Sequence, residues 1–355
     1  MIRLGNKIER EVIPMLETAF IRCCYIAPVL SGVKACYGIT ADQLLIPETL
    51  LQEPMSLIPF TEVSKWFTQI EELTGEADYM VKIHSYLSLS ALKMPGDWFL
   101  SAPDLIISFR RINHGICSFQ SGASYYPIQS GKIFKWCYNN PFVKGRARSH
   151  DSLRVAITLL NAIKHFSGSQ YSPRKLSLSG PPIQQKDTEA LFNCPVSWNA
   201  PQTELWLDNN DLIFSTPSDG FVYDNLATSL SLAQLENYLN MPQPNDTPKV
   251  LYEMINYSRY YNLPSVVSVA ALFGVSRQQL QRHLQKVGFS FTDLSSFILC
   301  NLAIKYMLEG RDITDIAARL SYANAHSFSR SFRRFRQQTP TQYLKSLNLN
   351  SKKPL

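Results

Sequence analysis

The sequence has 355 residues and seven Cys, yet no CxxC pair, and its six His form neither an HExxH motif nor a Cys/His pair at metal-ligand spacing. The usual structural and catalytic zinc patterns are therefore absent. An odd number of scattered Cys fits a reducing compartment with mostly buried, inert thiols. There is no Walker A sequence and no GxGxxG turn, so neither common phosphate cradle is present. The opening "MIRLGNKIEREVIPML" carries charges where a signal peptide needs an apolar run. The most apolar stretch, "AFIRCCYIAPVLSGVKACYG", is broken by Arg22 and Lys34 and falls short of the ~18 apolar residues of a membrane span. The expectation is a cytoplasmic protein with no membrane partner, no cofactor and no metal. Residues 1–240 show no internal repeat and no low-complexity run.

A hydrophobic content of 45% and a charged content of 18% describe a globular chain, long enough for two domains with separate cores. The charge is unevenly placed. From Lys249 onward, fifteen Lys and Arg against five Asp and Glu give +10; the whole chain is +7, so residues 1–248 carry −3. A basic region beside a mildly acidic one points to a polyanionic partner for the basic part alone. Charge by itself equally allows a solvated basic surface.

The chain divides near residue 245, where "NYLNMPQPNDTPKV" concentrates Pro242, Pro244 and Pro248 with Asn245 and Asp246. Upstream, "TEVSKWFTQIEELTG" has helical spacing, with Val63, Trp66, Phe67 and Ile70 on one side and Gly75 as a stop. "SAPDLIISFRRIN" and "SLRVAITLLNAIKHFSG" read as helices too, whereas "RKLSLSG", "VSWNA" and "ELWLD" alternate as short strands do. This region offers little chemistry. His150, Asp151 and Ser152 are neighbours in sequence, but a triad is a spatial arrangement, and no catalytic residue is assigned. Arg110, Arg111 and His114 read as a solvated helix end sooner than as an anion site. The abundant aromatics are core residues first and pocket residues second.

Beyond the divide the chain spells one phrase twice. "VVSVAALF" is helical, Gly274 permits a sharp turn, and Ser276 is a good N-cap for a second helix. In that helix Leu280, Leu284 and Val287 form a packed stripe, and Gln278, Arg282 and Gln285 face away from it with Gln281 at the edge. The second copy sets Ile313, Ile316, Ala317 and Leu320 inward, then a polar turn "SYANA", then Phe328, Phe332 and Phe335 at i, i+4 and i+7. His326, Arg330, Arg333 and Gln337 point the other way, with Arg334 beside them. Gln, Arg and His hydrogen-bond base edges, and Arg and Lys bind phosphates. Between the copies, "FTDLSSFILCNLAIKYMLEG" reads as one long, largely buried helix with Leu294, Phe297, Ile298, Leu302, Ile304 and Met307 inward. At ~1.5 Å per residue it is a spacer comparable with the ~34 Å between successive major grooves on one face of B-DNA.

Over Pro264–Leu344 the chain resembles the AraC/XylS family of transcription regulators. The resemblance rests on "AALFGVSRQQLQRHLQKVGFSF", "LAIKYMLEG", "DITDIAARLSY", "FSRSFRRF" and "TPTQYL". Two positions depart from the family pattern: Ser321 stands where Gly is usual, and Leu299 where Arg is usual in the linking helix. A weaker resemblance over most of residues 15–240 is carried by "PFTEVSKWFTQIEELTGEADYMVKIH", "SAPDLIISFRRIN" and "FNCPVSWNAPQTELWLDNNDLI". It is to the arabinose-binding-type sensor domain of the OruR/ArgR-like branch, and it implies an effector-responsive module without implying arabinose.

Together these readings give a mixed α/β (α+β) sensor or regulatory domain over 1–240, a linker over 241–248, an all-α DNA-binding domain over 249–347 and a flexible tail over 348–355. The all-α domain is expected to hold two helix-turn-helix motifs joined by the long helix. Gln278, Gln281, Arg282, His326 and Arg330 are expected to read bases of double-stranded promoter DNA. Ser276, Arg277, Lys286, Ser327, Arg333 and Arg334 are expected to contact its backbone. The family resemblance implies a bacterial regulator, often an activator that contacts RNA polymerase, and often a homodimer. A small-molecule effector, apolar if it uses an aromatic pocket, is expected in the first domain, at residues the sequence does not identify. The alternatives are a regulator without an effector, controlled by a protein partner or by dimerisation, and an enzyme in residues 1–240 tethered to DNA. The lack of any catalytic constellation speaks against the last.

Overall fold

The computed structural model describes residues 16–92, 94–210 and 240–350. The chain separates into two compact units, one over Thr18–Pro244 and the other from Asn245 onward.

In the first unit, β1 (Phe20–Arg22) pairs antiparallel with β2 (Leu57–Pro59). The helices of this part are, in chain order, α1 (Cys23–Tyr37), α2 (Glu48–Leu51), α3 (Phe60–Thr74), α4 (Tyr79–Lys82), α5 (Met94–Leu100) and α6 (Leu105–Gly115), with α1 packed on β1 and α3 on β2. There follow β3 (Ser124–Ser130), β4 (Ile133–Asn139), α7 (Gly145–Ser167), β5 (Lys175–Ser179), α8 (Gln185–Phe192), β6 (Val196–Ala200) and β7 (Thr203–Asp208). The five strands β3 to β7 form one sheet in the order β3-β4-β7-β5-β6. Only β5 and β6 are parallel, and α8 makes the crossover a parallel pair requires. The unit is thus mixed α/β, with α1 to α6 ahead of the five-stranded sheet and α7 and α8 between its strands.

The long apolar stretch becomes buried β1 and α1, whose Tyr25, Ile26, Val29 and Val33 are buried, so its hydrophobicity serves the core. Arg22, which interrupts it, is itself buried and donates to the carbonyls of Ser118 (2.6 Å) and Met55 (2.7 Å). Val63, Trp66, Phe67 and Ile70 are all buried on α3, and Gly75 ends that helix at φ +66°. Helix α7 is buried on nearly every side, packing against α3 and α4 and against β5 and β7. The β3–β4 hairpin has no clear sequence signal, because Pro127 argues against a strand. Pro127 is tolerated because β3 is an edge strand.

The second unit is helical: α9 (Thr247–Ser258), α10 (Val266–Leu272), α11 (Arg277–Lys286), α12 (Phe291–Leu308), α13 (Ile313–Arg319), α14 (Ala325–Arg336) and α15 (Pro340–Asn350). Helix α9 begins inside the segment read as linker. Asp246 caps it by accepting from the Lys249 amide, and Pro248 sits in the first turn, where a missing donor is harmless. Helix α15 continues to Asn350, three residues into the expected flexible tail; residues 351–355 lie outside the described residues. Leu299, Cys300, Ala303, Tyr306 and Met307 of α12 pack with Ile316, Ala317, Leu320, Phe328 and Phe332 in one core.

Two side chains assigned inward by spacing face out. Val287 is exposed because α11 ends at Lys286 and Val287 follows as its C-cap, where the helical stripe no longer applies. Phe297 is 45% exposed on α12, and its ring meets Phe335 edge-on at 6.5 Å. Its neighbours Ile298 and Leu299 fill the core instead. Among the described residues no single helix is long and apolar enough to cross a membrane.

Candidate nucleic-acid interface

Helices α10 and α11 form a tight pair. Gly274 turns the chain at φ +66°, and its amide donates to Ala271 O (3.1 Å). Ser276 then starts α11 with a reciprocal cap: its hydroxyl accepts from the Gln279 amide (3.2 Å), and Gln279 Oε1 accepts from the Ser276 amide (2.7 Å). Leu280 and Leu284 are buried and fix the rotation of the helix. Gln278, Gln281, Arg282 and Gln285 are consequently exposed, as are Arg277 in the first turn and Lys286 at the end.

Helices α13 and α14 repeat the arrangement with different residues. Asp312 caps α13, accepting from the amides of Thr314 and Asp315 at 2.8 Å each. The turn runs through Ser321 at φ +60°, the conformation Gly274 adopts in the first pair. Asn324 caps α14, accepting from the Ser327 amide at 2.8 Å. Phe328 and Phe332 are buried, so His326, Arg330, Arg333 and Arg334 are exposed. Gln337 is exposed as well, but it lies past the helix as a left-handed C-cap at φ +61°. The Ser327 hydroxyl donates to Asn324 O (2.8 Å), so it serves the cap before any outside group.

Not every cation in the unit faces outward. Asp315 pairs with Arg311 (3.1 Å) and Arg319 (3.0 Å). Arg336 Nη2 donates to Asn301 on α12 at 2.8 Å, which ties α14 to the long helix. Arg259, which directly follows α9, is 1% exposed. Its place after a helix end gave no signal of burial.

In the first unit the His150-Asp151-Ser152 triplet points three ways, as ~100° per residue on a helix requires. His150 Nε2 meets Glu71 Oε2 (2.6 Å) on α3. Asp151 accepts from Tyr138 and Arg154. The Ser152 hydroxyl lies beside Thr203 and accepts from the Ser179 amide. No triad forms. Arg111 donates to Trp98 O (2.6 Å) and Ser101 Oγ (3.3 Å), so it closes a helix junction and does not join Arg110 in an anion site. Tyr25 meets Phe119 ring to ring, and half-buried Tyr125 meets the buried rings of Trp136 and Tyr138. Among the described residues, no three His, Cys, Asp or Glu side chains converge as metal ligands.

Residues 269–346 match the model of a helix-turn-helix domain, a segment that takes in α11 to α14 with most of α10 and α15. Residues 40–213 match the model of the N-terminal arabinose-binding domain of AraC transcription regulator. The chain is a DNA-binding transcription regulator built from AraC-type domains. An enzyme tethered to DNA is not what this pair of domains makes. No match was found among curated proteins. Among solved structures the chain is similar to the crystal structure of transcriptional regulator CdpR from Pseudomonas aeruginosa, with 16% identity over 91% of this chain and 98% of that one. The TM-score is 0.40, too low to bear on any argument about the AraC-type units.

Proposed function

We propose that α11 and α14 are two recognition helices that enter successive major grooves of one promoter site, with α12 as the spacer between them. The observation that carries this reading is the repetition of one arrangement. A short helix, a turn at positive φ and a capped helix each present an exposed row of Gln, Arg or His opposite a buried apolar stripe. The 18 residues of α12 span ~27 Å, which suits a groove repeat of ~34 Å once the two helix pairs add their own width. Gln278, Gln281 and Arg282 on α11, with His326 and Arg330 on α14, read base edges. Arg277, Lys286, Arg333 and Arg334 hold phosphates, and Ser276 and Ser327 approach the backbone at the two helix starts. The test is a footprint of the full-length protein on a selected operator. Two protected major-groove elements about one turn apart support the reading, and a single protected element refutes it.

The Thr18–Pro244 unit is the sensor in this reading. It controls a cytoplasmic, effector-responsive activator that contacts RNA polymerase. Aromatic rings that would line an apolar pocket already pack edge-on or tilted, Tyr25 on Phe119 and Tyr125 on Trp136 and Tyr138, so an effector does not sit between these partners without displacing them. An open groove between α3 and the start of α7 is walled by Ser64, Lys65, Thr68, Gln69, Glu72 and Arg146. An effector taken there is small and polar. The same ring packing favours a second reading, in which a protein partner or a second copy controls the regulator without a small molecule. Titrating full-length protein with fractionated cell extract, heat-treated and protease-treated in parallel, separates the two.

A further inference from the structure

The second unit has two halves. In one, α9 packs on α10, which packs on α11; in the other, α12 and α13 pack on α14. Where α9 packs on α12, a polar connection between the halves passes through Arg259 and Ser321. Arg259 Nη1 donates to the carbonyl of Arg319 (2.9 Å), the last residue of α13. In the opposite direction, the Ser321 hydroxyl donates to the carbonyl of Arg259. The guanidinium is held in turn by Asn256 Oδ1 (2.8 Å) and the Tyr260 hydroxyl (2.8 Å), and it lies 4.0 Å over the Tyr260 ring. A clasp thus runs from the end of α9 to the turn that aims α14.

Two features of the clasp are poor choices for stability alone. A buried guanidinium carries a desolvation penalty that an apolar side chain would avoid, and such groups are best understood where they fix one geometry among several. Ser321 adopts φ +60°, where glycine is unstrained and serine is not. Glycine there, however, would have no hydroxyl to donate. The strained residue is the one that completes the connection.

We propose that Arg259 and Ser321 are positioning residues that hold α14 at a fixed distance and angle from α11. The clasp thereby sets which spacing between two DNA elements the protein accepts. This rests on the reading of α11 and α14 as two recognition helices on one site. Without the clasp the halves rock about the α9–α12 contact, and sites with altered spacing become tolerable. Neither residue touches DNA in this account.

The experiment uses full-length protein and one operator selected from random sequence. Copies of that operator have the spacer between the two elements lengthened or shortened by one base pair, and further duplexes hold each element alone. Ser321→Gly deletes the donor while relieving the backbone, and Arg259→Lys keeps the charge but cannot make the forked bonds. Wild type should lose about tenfold or more in affinity on each respaced operator, as for a poorly matched base pair. Both variants should lose no more than about threefold there, while binding each single element within about twofold of wild type. Variants that keep the wild-type spacing penalty overturn the clasp and leave the two-helix reading standing. Variants weakened equally on single elements show a merely structural role and also overturn it. A wild type indifferent to spacing removes the two-helix reading and the clasp with it.

Discussion

Nε2 of His150 lies 2.6 Å from a carboxylate oxygen of Glu71, while its Nδ1 is buried with no hydrogen-bond partner. A neutral imidazole with its proton on Nε2 satisfies Glu71. A second proton would put an unpartnered donor on Nδ1 inside the core. Burial accordingly pulls His150 down to about 4, against the pull of the Glu71 carboxylate. Partial burial pushes Glu71 up, but hydrogen bonds from Arg146 and His150 outweigh it and hold the carboxyl below its ordinary value. The unfolded chain takes up the His150 proton near pH 6.5 and the folded chain only near 4, so between those values the unfolded state holds more protons. Stability should be full above pH 6.5 and fall as pH drops toward 4, by on the order of 3 kcal/mol from this residue. All five Trp lie between positions 66 and 206, so urea unfolding followed by Trp fluorescence reports on this unit alone. His150→Gln should flatten the slope between pH 6.5 and 4.5; an unchanged slope would remove His150 as its source.

Base reading should separate by helix. Arg282→Ala and Arg330→Ala should each relax preference at a different part of the operator, about one turn apart, with ~1–3 kcal/mol of discrimination lost where an Arg pairs with guanine. Selection from random sequence with each variant measures this. If both variants altered preference at the same base pairs, α11 and α14 would not occupy separate grooves.

Lys286, Arg333 and Arg334 should act on all sequences alike. Removing any one should weaken specific and non-specific binding together and lower the slope of log affinity against log salt by roughly 1. Titrations at several salt concentrations give that slope, and three unchanged slopes would take these residues off the DNA backbone.

Cutting the chain ahead of Asn245 should leave a fragment that binds DNA but no longer responds to the first unit. The cut belongs there because Asp246 caps α9 and residue 248 lies inside the helix. A fragment starting at Asn245 keeps the cap, worth ~1 kcal/mol. Gel-shift comparison with full-length protein, with and without cell extract, reads the outcome. If control works only through dimerisation, the fragment loses most of its affinity. If the full-length protein ignores every extract and binds no tighter than the fragment, the first unit is not a sensor.

Much of the second unit was legible because its signals are local. A cap lies within three residues of its partner, and a helical stripe repeats every three or four. Ser276, Gly274, the Leu280–Leu284 stripe and the Phe328–Phe332 stripe could therefore be read directly. The same locality misplaced Val287 and Phe297, because spacing does not say where a helix ends or which side of a long apolar helix meets the core. In the first unit α3, β5, β6 and β7 followed from short-range pattern. The β3–β4 hairpin did not, since the edge position that makes Pro127 acceptable is a property of the sheet. Likewise, no local rule joins His150 to Glu71 across 79 positions, or Ser321 to Arg259 across 62. The sequence alone determined a basic helical unit with two exposed polar helix faces, because periodicity and charge belong to the chain. The tertiary structure alone decided which buried polar groups meet, because a hydrogen bond depends on an approach of about 3 Å that only the packed fold can bring about.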